Sequence, residues 1–308
     1  MSSNIVSASY NPTLSNYAFG IAPTLSNKDA AFLAPTVVTP AGRGQYKAFD
    51  DANAFKIYNT RRALGGKRER IVFDKTDAKF DCSPSGIEVA VDDAERDAAG
   101  EENGQRLLES KTKMLITASN LSRTDVTVSL ALTKTAEAGI GAWLDGTTND
   151  PVNEIDATIQ KIATNCGMMP NRIWMPVSTW ITIKNHAKVR GRLGNATQEG
   201  FDTTRFAALL ANPNIDIMVS AAGKDTTKPG GAKTKQLMGL NAMIMFIASD
   251  SPSEYDPSFM KTFATRMGNV AGVKTYRDES CASDVVAIDW TEQQIITGSL
   301  CGAVIALS

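Results

Sequence analysis

"GAWLDGTTNDPVNEIDATIQKIATNCGMMPNRIWMPVSTWITIKNHAKV", residues 141–189, alternates helix signals with turn signals along its length. Pro151 opens an apolar repeat of helical spacing that runs to Cys166, and Gly167 suits the position after a helix end. "RIWM" then predicts a short buried strand, and "VSTWITIKNHA" predicts another helix. Helices that alternate with short buried strands indicate an α/β unit.

The composition is that of an ordinary globular chain. It has 308 residues, 43% of them hydrophobic, and a formal net charge of −1. This length allows one large or two ordinary domains, and the charge balance supplies no global basic field for nucleic acid. Since the sequence holds neither an apolar run of about 18 residues nor a cationic start before an apolar block, we expect no membrane span and no secretory signal. We also expect the N-terminus to be retained.

The sequence shows no catalytic, cofactor or metal motif. A single histidine, His186, rules out multi-histidine metal sites, and we interpret it as a structural residue at a helix end. "LGGKRER" lacks the features of a phosphate loop, and "GIGAWL" lacks the third glycine of a dinucleotide fingerprint. The four cysteines stand far apart without a CxxC pair, so we expect reduced thiols. They are Cys82, Cys166, Cys281 and Cys301.

The first half of the chain contains an arm, a hairpin and a long helix. Prolines recur through residues 1–50 and predict an extended arm without a long helix. "AFKIYNTRR", "RERIVFDK" and the alternating "GIEVAV" predict a β-hairpin over residues 54–91. A helix is predicted over 101–121, where Leu107, Met114 and Leu121 repeat every seven residues and Leu108 and Leu115 widen the apolar stripe. A second helical stretch is predicted to follow to Ala136.

The second half continues with short elements. "TTRFAALLA" predicts a helix, and "IDIMVS" and "AMIMFIA" predict strands on either side of a loop at 221–236. The tail is predicted to form antiparallel strands at "MKTFATRM", "GVKTYRDE", "DVVAIDW" and "QIITG".

Charge is unevenly distributed along this nearly neutral chain. Residues 41–73 carry eight Lys and Arg against three Asp and Glu, and residues 74–110 carry eleven acidic residues against four basic ones. The pair Asp92 and Asp93 with Glu95 is interpreted as a solvated face near a helix start rather than a catalytic site.

The order of these segments resembles the major capsid protein of tailed bacteriophages, whose icosahedral coat fold is shared with encapsulins. Residues 141–189 are the most specific part, because they are similar to the family's run of Trp, Asp-Pro, helix, Gly, Pro-Asn, strand and short helix ending near His. Five other segments resemble the family in the same order. They are "SNKDAAFLAPTVVTPAGRGQYKAF", "NTRRALGGKRERIVFDKTDAKF", "GEENGQRLLESKTKMLITASNL", "GFDTTRFAALLANPNIDIMVSAA" and "DPSFMKTFATR".

The resemblance implies an α+β phage major capsid fold with an N-terminal arm, an extended β-hairpin loop, a long spine helix with a peripheral antiparallel sheet, and an α/β axial domain. The implied segments are 1–53 (arm), 54–92 (extended loop), 93–136 (peripheral domain with spine helix), 137–255 (axial domain) and 256–308 (strands returning to the peripheral domain). The implied function is that of a coat protein, without enzymatic activity or cofactors, which assembles as hexamers and pentamers around double-stranded DNA. The expected location is the virion, after assembly in the host bacterial cytoplasm.

The implied partners are other copies of the chain, a separate scaffolding protein, a portal, a possible decoration protein and non-specifically contacted DNA, but no membrane. In this family the extended loop reaches over the neighbouring subunit near its spine helix. Basic loop residues could there oppose an acidic helix approach, or both blocks could belong to one subunit. The basic candidates are Arg61, Arg62, Lys67, Arg68 and Arg70, and the acidic candidates are Asp92, Asp93, Glu95, Asp97, Glu101 and Glu102.

Further expectations come from the same resemblance. Lys224, Lys228, Lys233 and Lys235 would lie on a loop at the capsomer centre. Some family members cross-link a loop lysine to an asparagine, but no acceptor or assisting acid can be matched to Lys67, Lys75 or Lys79, so we expect no cross-link. Two alternatives stay open: an encapsulin-like compartment, and a soluble α/β enzyme that binds phosphate at 221–236.

Overall fold

The computed structural model describes residues 9–25, 28–48, 61–62, 64, 66, 77–147, 149–193, 200–227, 234–253, 256–265 and 272–308. The helices are α1 Pro12–Leu25, α2 Lys28–Leu33, α3 Asp93–Ala99, α4 Glu101–Ala131, α5 Pro151–Cys166, α6 Val177–Asn185, α7 Ala187–Leu193 and α8 Thr203–Ala207. The strands are β1 Ser9–Tyr10, β2 Thr36–Val38, β3 Arg43–Lys47, β4 Asp77–Asp81, β5 Ser83–Asp92, β6 Arg172–Pro176, β7 Asp216–Ser220, β8 Gly223–Asp225, β9 Lys235–Leu237, β10 Ala242–Phe246, β11 Met260–Ala264, β12 Val273–Asp278, β13 Ser283–Ile296 and β14 Gly302–Ala306.

The larger sheet is organised around β13. Its strand order is β1-β12-β13-β11-β2, and β5 also pairs with β13. All pairs are antiparallel except β2 with β11. Two of the sequence predictions are wrong here. "DVVAIDW" and "QIITG" are one continuous strand, and "GIEVAV" pairs with β13 instead of forming the predicted hairpin. Strand pairing depends on partners distant in sequence, which alternation alone does not identify.

The second sheet has the order β14-β10-β6-β7 and forms the α/β unit. β6 and β7 are parallel, while β10 is antiparallel to both β6 and β14. Every residue of β10 is buried, because helices and loops cover both faces of this central strand. The last strand of the tail, β14, therefore belongs to this sheet, whereas β11, β12 and β13 belong to the larger one.

Helix α5 begins and ends at the predicted residues. The Asp150 carboxylate accepts the Val152 N–H at 3.1 Å, Pro151 occupies the first turn, and Gly167 has φ 69°. Helix α4 is a single helix that ends at Ala131, so the predicted second stretch to Ala136 is partly merged into it and partly non-helical. Helix α8 ends at Ala207, earlier than predicted.

The N-terminal segment is not the extended arm predicted from its prolines. Pro12 opens the 14-residue helix α1, and the Asn11 side chain accepts the Leu14 N–H at 3.0 Å. A proline in the first turn costs no hydrogen bond, so counting Pro12 as a helix breaker was wrong. Leu14 and Ala18 are fully buried in a cluster with Ile116 of α4 and Val273 of β12.

Strands β3 and β4 form a separate two-stranded antiparallel sheet. It is fixed to β11 by aromatic packing: the rings of Phe80 and Phe263 stack with centroids 4.4 Å apart, and the Tyr46 ring lies 5.4 Å from that of Phe263. The chain between these strands includes most of the predicted 54–91 hairpin, and of that stretch only residues 61, 62, 64 and 66 and those from 77 onward lie within the described structure.

Candidate assembly surfaces

The inward face of α4 is lined by small hydroxyl residues as well as apolar ones. Leu115, Ile116 and Val128 are buried, and so are the hydroxyl residues that lie one turn away from them. Each threonine donates its hydroxyl to the carbonyl four residues earlier, which satisfies the polar group inside the helix. These bonds are Thr112 to Leu108 (2.8 Å), Thr124 to Asn120 (2.9 Å) and Thr127 to Arg123 (2.8 Å).

The outward face of α4 carries large apolar side chains. Met114 is 63% exposed, Val126 49% and Leu121 39%. The predicted stripe is therefore only partly correct. Leu115 is buried and Leu108 packs against the same cluster, whereas Met114 and Leu121 are exposed, because the buried face is shifted by about one residue around the helix. Met114 and Leu121 share one face, whereas Val126 lies about 120° around the helix from Met114. Exposed apolar side chains on a long helix are typical of an interaction surface.

The acidic helix α3 is joined to its own subunit by a network of arginine contacts. The Asp93 carboxylate accepts two hydrogen bonds from Arg277 of β12, at 2.7 and 2.5 Å. Arg277 also lies 3.4 Å from Asp284, and Arg96 pairs with both Asp93 and Asp284. The hydrogen bonds from Arg277 hold the pKa of Asp93 below its ordinary value. Asp93 is thus neutralised within the subunit.

The other acidic candidates differ in their availability. The Glu95 carboxylate lies 2.8 Å from the Lys111 ammonium of α4, and Asp92 caps α3 by accepting the Ala94 N–H at 2.8 Å. Asp97 is exposed, as is Asp92. The side chains of Glu101 and Glu102 lie outside the described part of the chain. Among the described carboxylates of this group, Asp92 and Asp97 are therefore exposed and outside the ion pairs that hold Asp93 and Glu95.

The basic candidates are only partly described. Arg61 and Arg62 are exposed, and the Arg62 guanidinium donates to the Gly66 carbonyl at 3.2 Å. Lys67, Arg68 and Arg70 lie outside the described residues. Among the described residues, the cations that pair with α3 come from α3 itself, α4 and β12.

The lysine-rich loop is framed by the hairpin β8–β9. The Lys224 ammonium lies 2.7 Å from the Asp125 carboxylate of α4, which fixes the base of this hairpin to the long helix. Lys235 is exposed opposite Asp225, and Lys228 and Lys233 lie outside the described residues. Lys224 is therefore engaged in an internal ion pair.

A buried ion pair connects α4 to the larger sheet. The Arg123 guanidinium Nε lies 3.2 Å from Glu292 Oε2 of β13, and the two side chains are 11% and 7% exposed. Arg123 also donates to the Thr36 hydroxyl of β2 at 3.0 Å. Burial raises the pKa of Glu292 and lowers that of Arg123. Arg123 therefore joins helix α4 to strand β13 through Glu292 and to strand β2 through Thr36.

The Glu154 carboxylate holds the turn before helix α5 in place. Glu154 of α5 accepts the Gly141 N–H at 2.8 Å and the Trp143 indole N–H at 2.7 Å. Trp143 is fully buried. Gly141 has φ 97°, and a Cβ there would lie 2.2 Å from the Ala306 carbonyl oxygen, so only glycine fits. The "GIGAWL" segment is therefore a structural turn.

Comparison with known proteins gives matches to structures alone. No protein-family model matches the chain, and no curated protein sequence matches it significantly. The chain is 22% identical to a phage-related protein of Bordetella bronchiseptica RB50, with a TM-score of 0.74 and 98% of both chains covered. A proposed capsid protein from a prophage of E. coli CFT073 is 12% identical, with a TM-score of 0.59 over 98% of this chain and 100% of the other.

The chain has the coat-protein fold of tailed phages and encapsulins. The encapsulin side of this fold group is represented by the SrpI encapsulin of Synechococcus elongatus PCC 7942. That protein is 10% identical, with a TM-score of 0.52 over 92% of this chain and 88% of the other. In the terms of this coat fold, α4 is the spine helix, the larger sheet is the peripheral sheet, and the α/β unit is the axial domain.

The axial domain of the coat fold contains the only histidine of the sequence. His186 is fully buried between α6 and α7, and its Nδ1 accepts the Lys188 N–H at 3.3 Å. The structural interpretation of His186 agrees with this position. Within the described ranges, no group of three or more His, Cys, Asp or Glu residues is arranged to hold a metal ion. No helix there is long and apolar enough to cross a membrane.

Sequence reasoning missed two parts of the coat fold's surface. The first is Arg277, which pairs with Asp93 of α3. It lies far from α3 in sequence, and only the pairing of β12 with β13 brings it next to this helix. The outward face of the spine helix was missed because Met114 and Leu121 were assigned to the core. A signal was present, since Thr112, Ser119 and Thr127 share the helical spacing of Leu115 and the other buried positions.

Proposed function

We propose that this chain is the major capsid protein of a tailed bacteriophage. In this role it assembles as hexamers and pentamers into an icosahedral shell around the double-stranded DNA genome, and it is structural rather than enzymatic. The observation that carries the proposal is the end-to-end fold match with phage-derived proteins, which spans both sheets and the spine helix. The proposed location is the virion, after assembly in the host bacterial cytoplasm.

The proposed subdivision starts from the segments inferred from sequence: arm (1–53), extended loop (54–92), peripheral domain (93–136), axial domain (137–255) and returning strands (256–308). Strand β5, at the end of the loop segment, is reassigned to the peripheral sheet because it pairs with β13. The pairing of β3 with β4 supports a loop whose base lies at these two strands. The pairing of β11 and β12 with β13 supports a return of the tail to the peripheral sheet. β14 is assigned to the axial domain, because it pairs with β10.

In the proposed shell, the loop between β3 and β4 of one subunit lies over the spine helix of the next. The exposed apolar side chains of Met114 and Leu121, which share one face of α4, support this, because a neighbour would cover such a surface. The loop sequence contains Ile71, Val72 and Phe73, whose apolar side chains could supply the complementary contact. Permanent interfaces of this kind are large and apolar.

Charge would then set the register between loop and helix. Arg61, Arg62 and the loop's other basic residues would oppose Asp92 and Asp97, since Asp93 is already neutralised by Arg277. Each exposed ion pair contributes only about 0–1 kcal/mol, so the effect depends on repetition around each ring. The competing arrangement, in which the two blocks pair within one subunit, is an outcome of the test below.

Further partners follow from the same role. The β8–β9 hairpin, with Lys224, Lys228, Lys233 and Lys235, would lie at the capsomer centre. A separate scaffolding protein, a portal and a possible decoration protein complete the proposed assembly. The near-neutral net charge suits a shell that contacts DNA non-specifically, because a strongly basic lining would bind phosphates tightly. No covalent cross-link is proposed.

An encapsulin-like compartment is the second candidate, favoured by the fold similarity to the SrpI encapsulin. The two candidates differ in what the closed shell holds. Particles that contain nucleic acid support a phage coat, and particles that contain a co-purified enzyme support a compartment. The soluble enzyme alternative is less supported, because Lys224 of its supposed phosphate loop is paired with Asp125.

The test is expression of the full chain in bacteria, followed by sedimentation and electron microscopy. Closed shells of megadalton mass are expected, either directly or after addition of a phage scaffolding protein. A stable dimer that ignores every scaffold would overturn the proposal. Replacing Arg61, Arg62 and Arg68 together with Glu should block ring closure while the subunit stays folded, and the matched triple Lys variant should close. Normal shells from the Glu variant would refute the charge contact between subunits.

A further inference from the structure

Two cysteines that are far apart in sequence lie side by side in the axial domain. Cys166 is the last residue of α5, and Cys301 is the last residue of the 3₁₀ turn Ser299–Cys301 that leads into β14. Their Sγ atoms are 3.0 Å apart. A disulfide bond needs about 2.05 Å, so the two sulfurs have to approach by only about 1 Å. The structure holds both residues as thiols.

The surroundings of this pair are apolar and closed. Cys166 is 5% exposed and Cys301 is fully buried, and both belong to the large hydrophobic cluster of the axial domain. Lys134 lies close to the pair, and its ammonium donates to the Ser299 carbonyl in the same turn as Cys301. Burial lowers the pKa of Lys134, while the hydrogen bond with Cys166 and burial raise the pKa of Cys301. Cys301 therefore keeps its proton at neutral pH. Cys166, which is 5% exposed whereas Cys301 is fully buried, is the sulfur that an oxidant reaches first.

We propose that Cys166 and Cys301 are a redox-sensitive pair that closes to an intrachain disulfide when the chain meets a peroxide. The inference goes beyond the proposed function and does not depend on it. In a reducing environment the pair stays as two thiols, in agreement with the expectation from sequence. In an oxidising one it ties the final strand β14 to helix α5.

The reaction balances with hydrogen peroxide as the oxidant. The Cys166 thiolate attacks one peroxide oxygen, the O–O bond breaks, and hydroxide leaves and is protonated to water, so Cys166 becomes a sulfenic acid. The Cys301 sulfur then attacks the Cys166 sulfur. The S–S bond forms, the S–OH bond breaks, and the Cys301 proton leaves with that hydroxide as a second water. Two electrons pass from the sulfurs to the peroxide.

The expected consequence is a more stable axial domain. The bond would join residues separated by 135 positions, and a long loop of this kind gives a large loss of entropy in the unfolded chain. With a stabilisation in the usual range for disulfides, the melting temperature of the oxidised chain should rise by about 4–8 °C. Reduction should reverse this shift.

The test is thiol mapping of the full-length chain after peroxide treatment. The purified protein is freed of reductant, treated with hydrogen peroxide, unfolded and alkylated, and then digested without reduction for mass spectrometry. The expected result is one linked peptide pair that contains Cys166 and Cys301, with Cys82 and Cys281 alkylated. Four alkylated thiols, or a link that uses Cys82 or Cys281, would overturn the proposal.

Cysteine variants distinguish a disulfide between Cys166 and Cys301 from oxidation of the other two thiols. Cys301→Ala should abolish both the linked peptide and the oxidation-dependent melting shift, whereas the matched buried control Cys82→Ala should keep both. Cys281→Ser removes the exposed thiol and with it disulfides between molecules. If Cys301→Ala does not fold, the mapping in Cys281→Ser decides alone: an absent 166–301 link there refutes the proposal.

Discussion

Replacing Arg123 with Ala should destabilise the peripheral domain strongly, because it leaves the buried Glu292 carboxylate without its cation. The two side chains are 11% and 7% exposed, and their charged atoms lie 3.2 Å apart. Removing one partner of a buried ion pair costs about 3–5 kcal/mol, and the small residual exposure favours the lower end. At about 2 °C per kcal/mol for a chain of this size, the melting temperature should fall by roughly 6 °C.

The loss should also depend on pH in a defined direction. Burial already raises the pKa of Glu292, and the attraction of Arg123 is what opposes that rise. Without Arg123 the folded-state pKa of Glu292 should rise further above its unfolded value. A group with a raised folded-state pKa stabilises the fold at low pH, and this contribution is lost as the pH rises through the folded-state value. The variant's deficit should therefore be smaller at pH 5 than at pH 8.

The assay is urea unfolding of the full-length chain at both pH values. The exposed pair Lys274–Asp289 supplies a matched control, since both of its side chains are about half exposed and Lys274→Ala should cost less than about 1 kcal/mol. The double variant Arg123→Met with Glu292→Leu should recover most of the loss, because an apolar pair needs no compensating charge. An equal deficit at pH 5 and pH 8, or no recovery in the double variant, would refute this reasoning.

Three further outcomes are expected. Gly141→Ala should lower the free energy of unfolding by about 2 kcal/mol or more, since its Cβ would lie 2.2 Å from the Ala306 carbonyl oxygen. Gly139 also has a positive φ (78°) but faces open space, so the control Gly139→Ala should cost only about 1 kcal/mol. Equal losses for the two variants in thermal unfolding would contradict the steric argument. Asp93→Asn should destabilise the chain at pH 7, and the deficit should disappear as the pH falls through the lowered folded-state pKa of Asp93, because a lowered folded-state pKa contributes stability that is lost as pH falls; a pH-independent deficit would exclude this linkage. Met114→Glu should leave the circular dichroism spectrum and the melting temperature of the subunit unchanged but prevent the formation of shells, as seen by electron microscopy. The control Met114→Leu should assemble. Shells formed by the Glu variant would show that the outward face of the spine helix is not part of the interface.

Local patterns predicted the axial domain better than the rest of the chain. Asp150, Pro151 and Gly167 supply a cap, a first-turn proline and a left-handed end, so α5 could be placed to the residue. The strand "RIWM" and the buried run "AMIMFIA" were also identifiable, because an apolar run between turn signals has few other uses. The order of such segments was enough to indicate the coat fold.

The candidate surfaces were less predictable, because exposure and pairing are properties of the folded chain. Met114 and Leu121 repeat with a helical period, but so do Thr112 and Thr127, and only packing against α1 and β13 decides which set is buried. The basic and acidic blocks were noticed in the sequence, yet the cation that binds Asp93 is Arg277 from β12. An ion pair requires a distance of a few ångströms, and separation along the chain does not report it.

What the sequence determined by itself was the set of helices and strands with strong local signals, and through their order the coat fold. Hydrogen bonding within a helix, its caps and its apolar spacing are all local, so they can be read from neighbouring residues. The tertiary structure alone decided which strands pair with β13, which face of α4 meets solvent, and that Cys166 lies beside Cys301. The pairing of β5 with β13 and the contact of Cys166 with Cys301 join residues more than a hundred positions apart, and their energies depend on separations that exist only after the chain has folded.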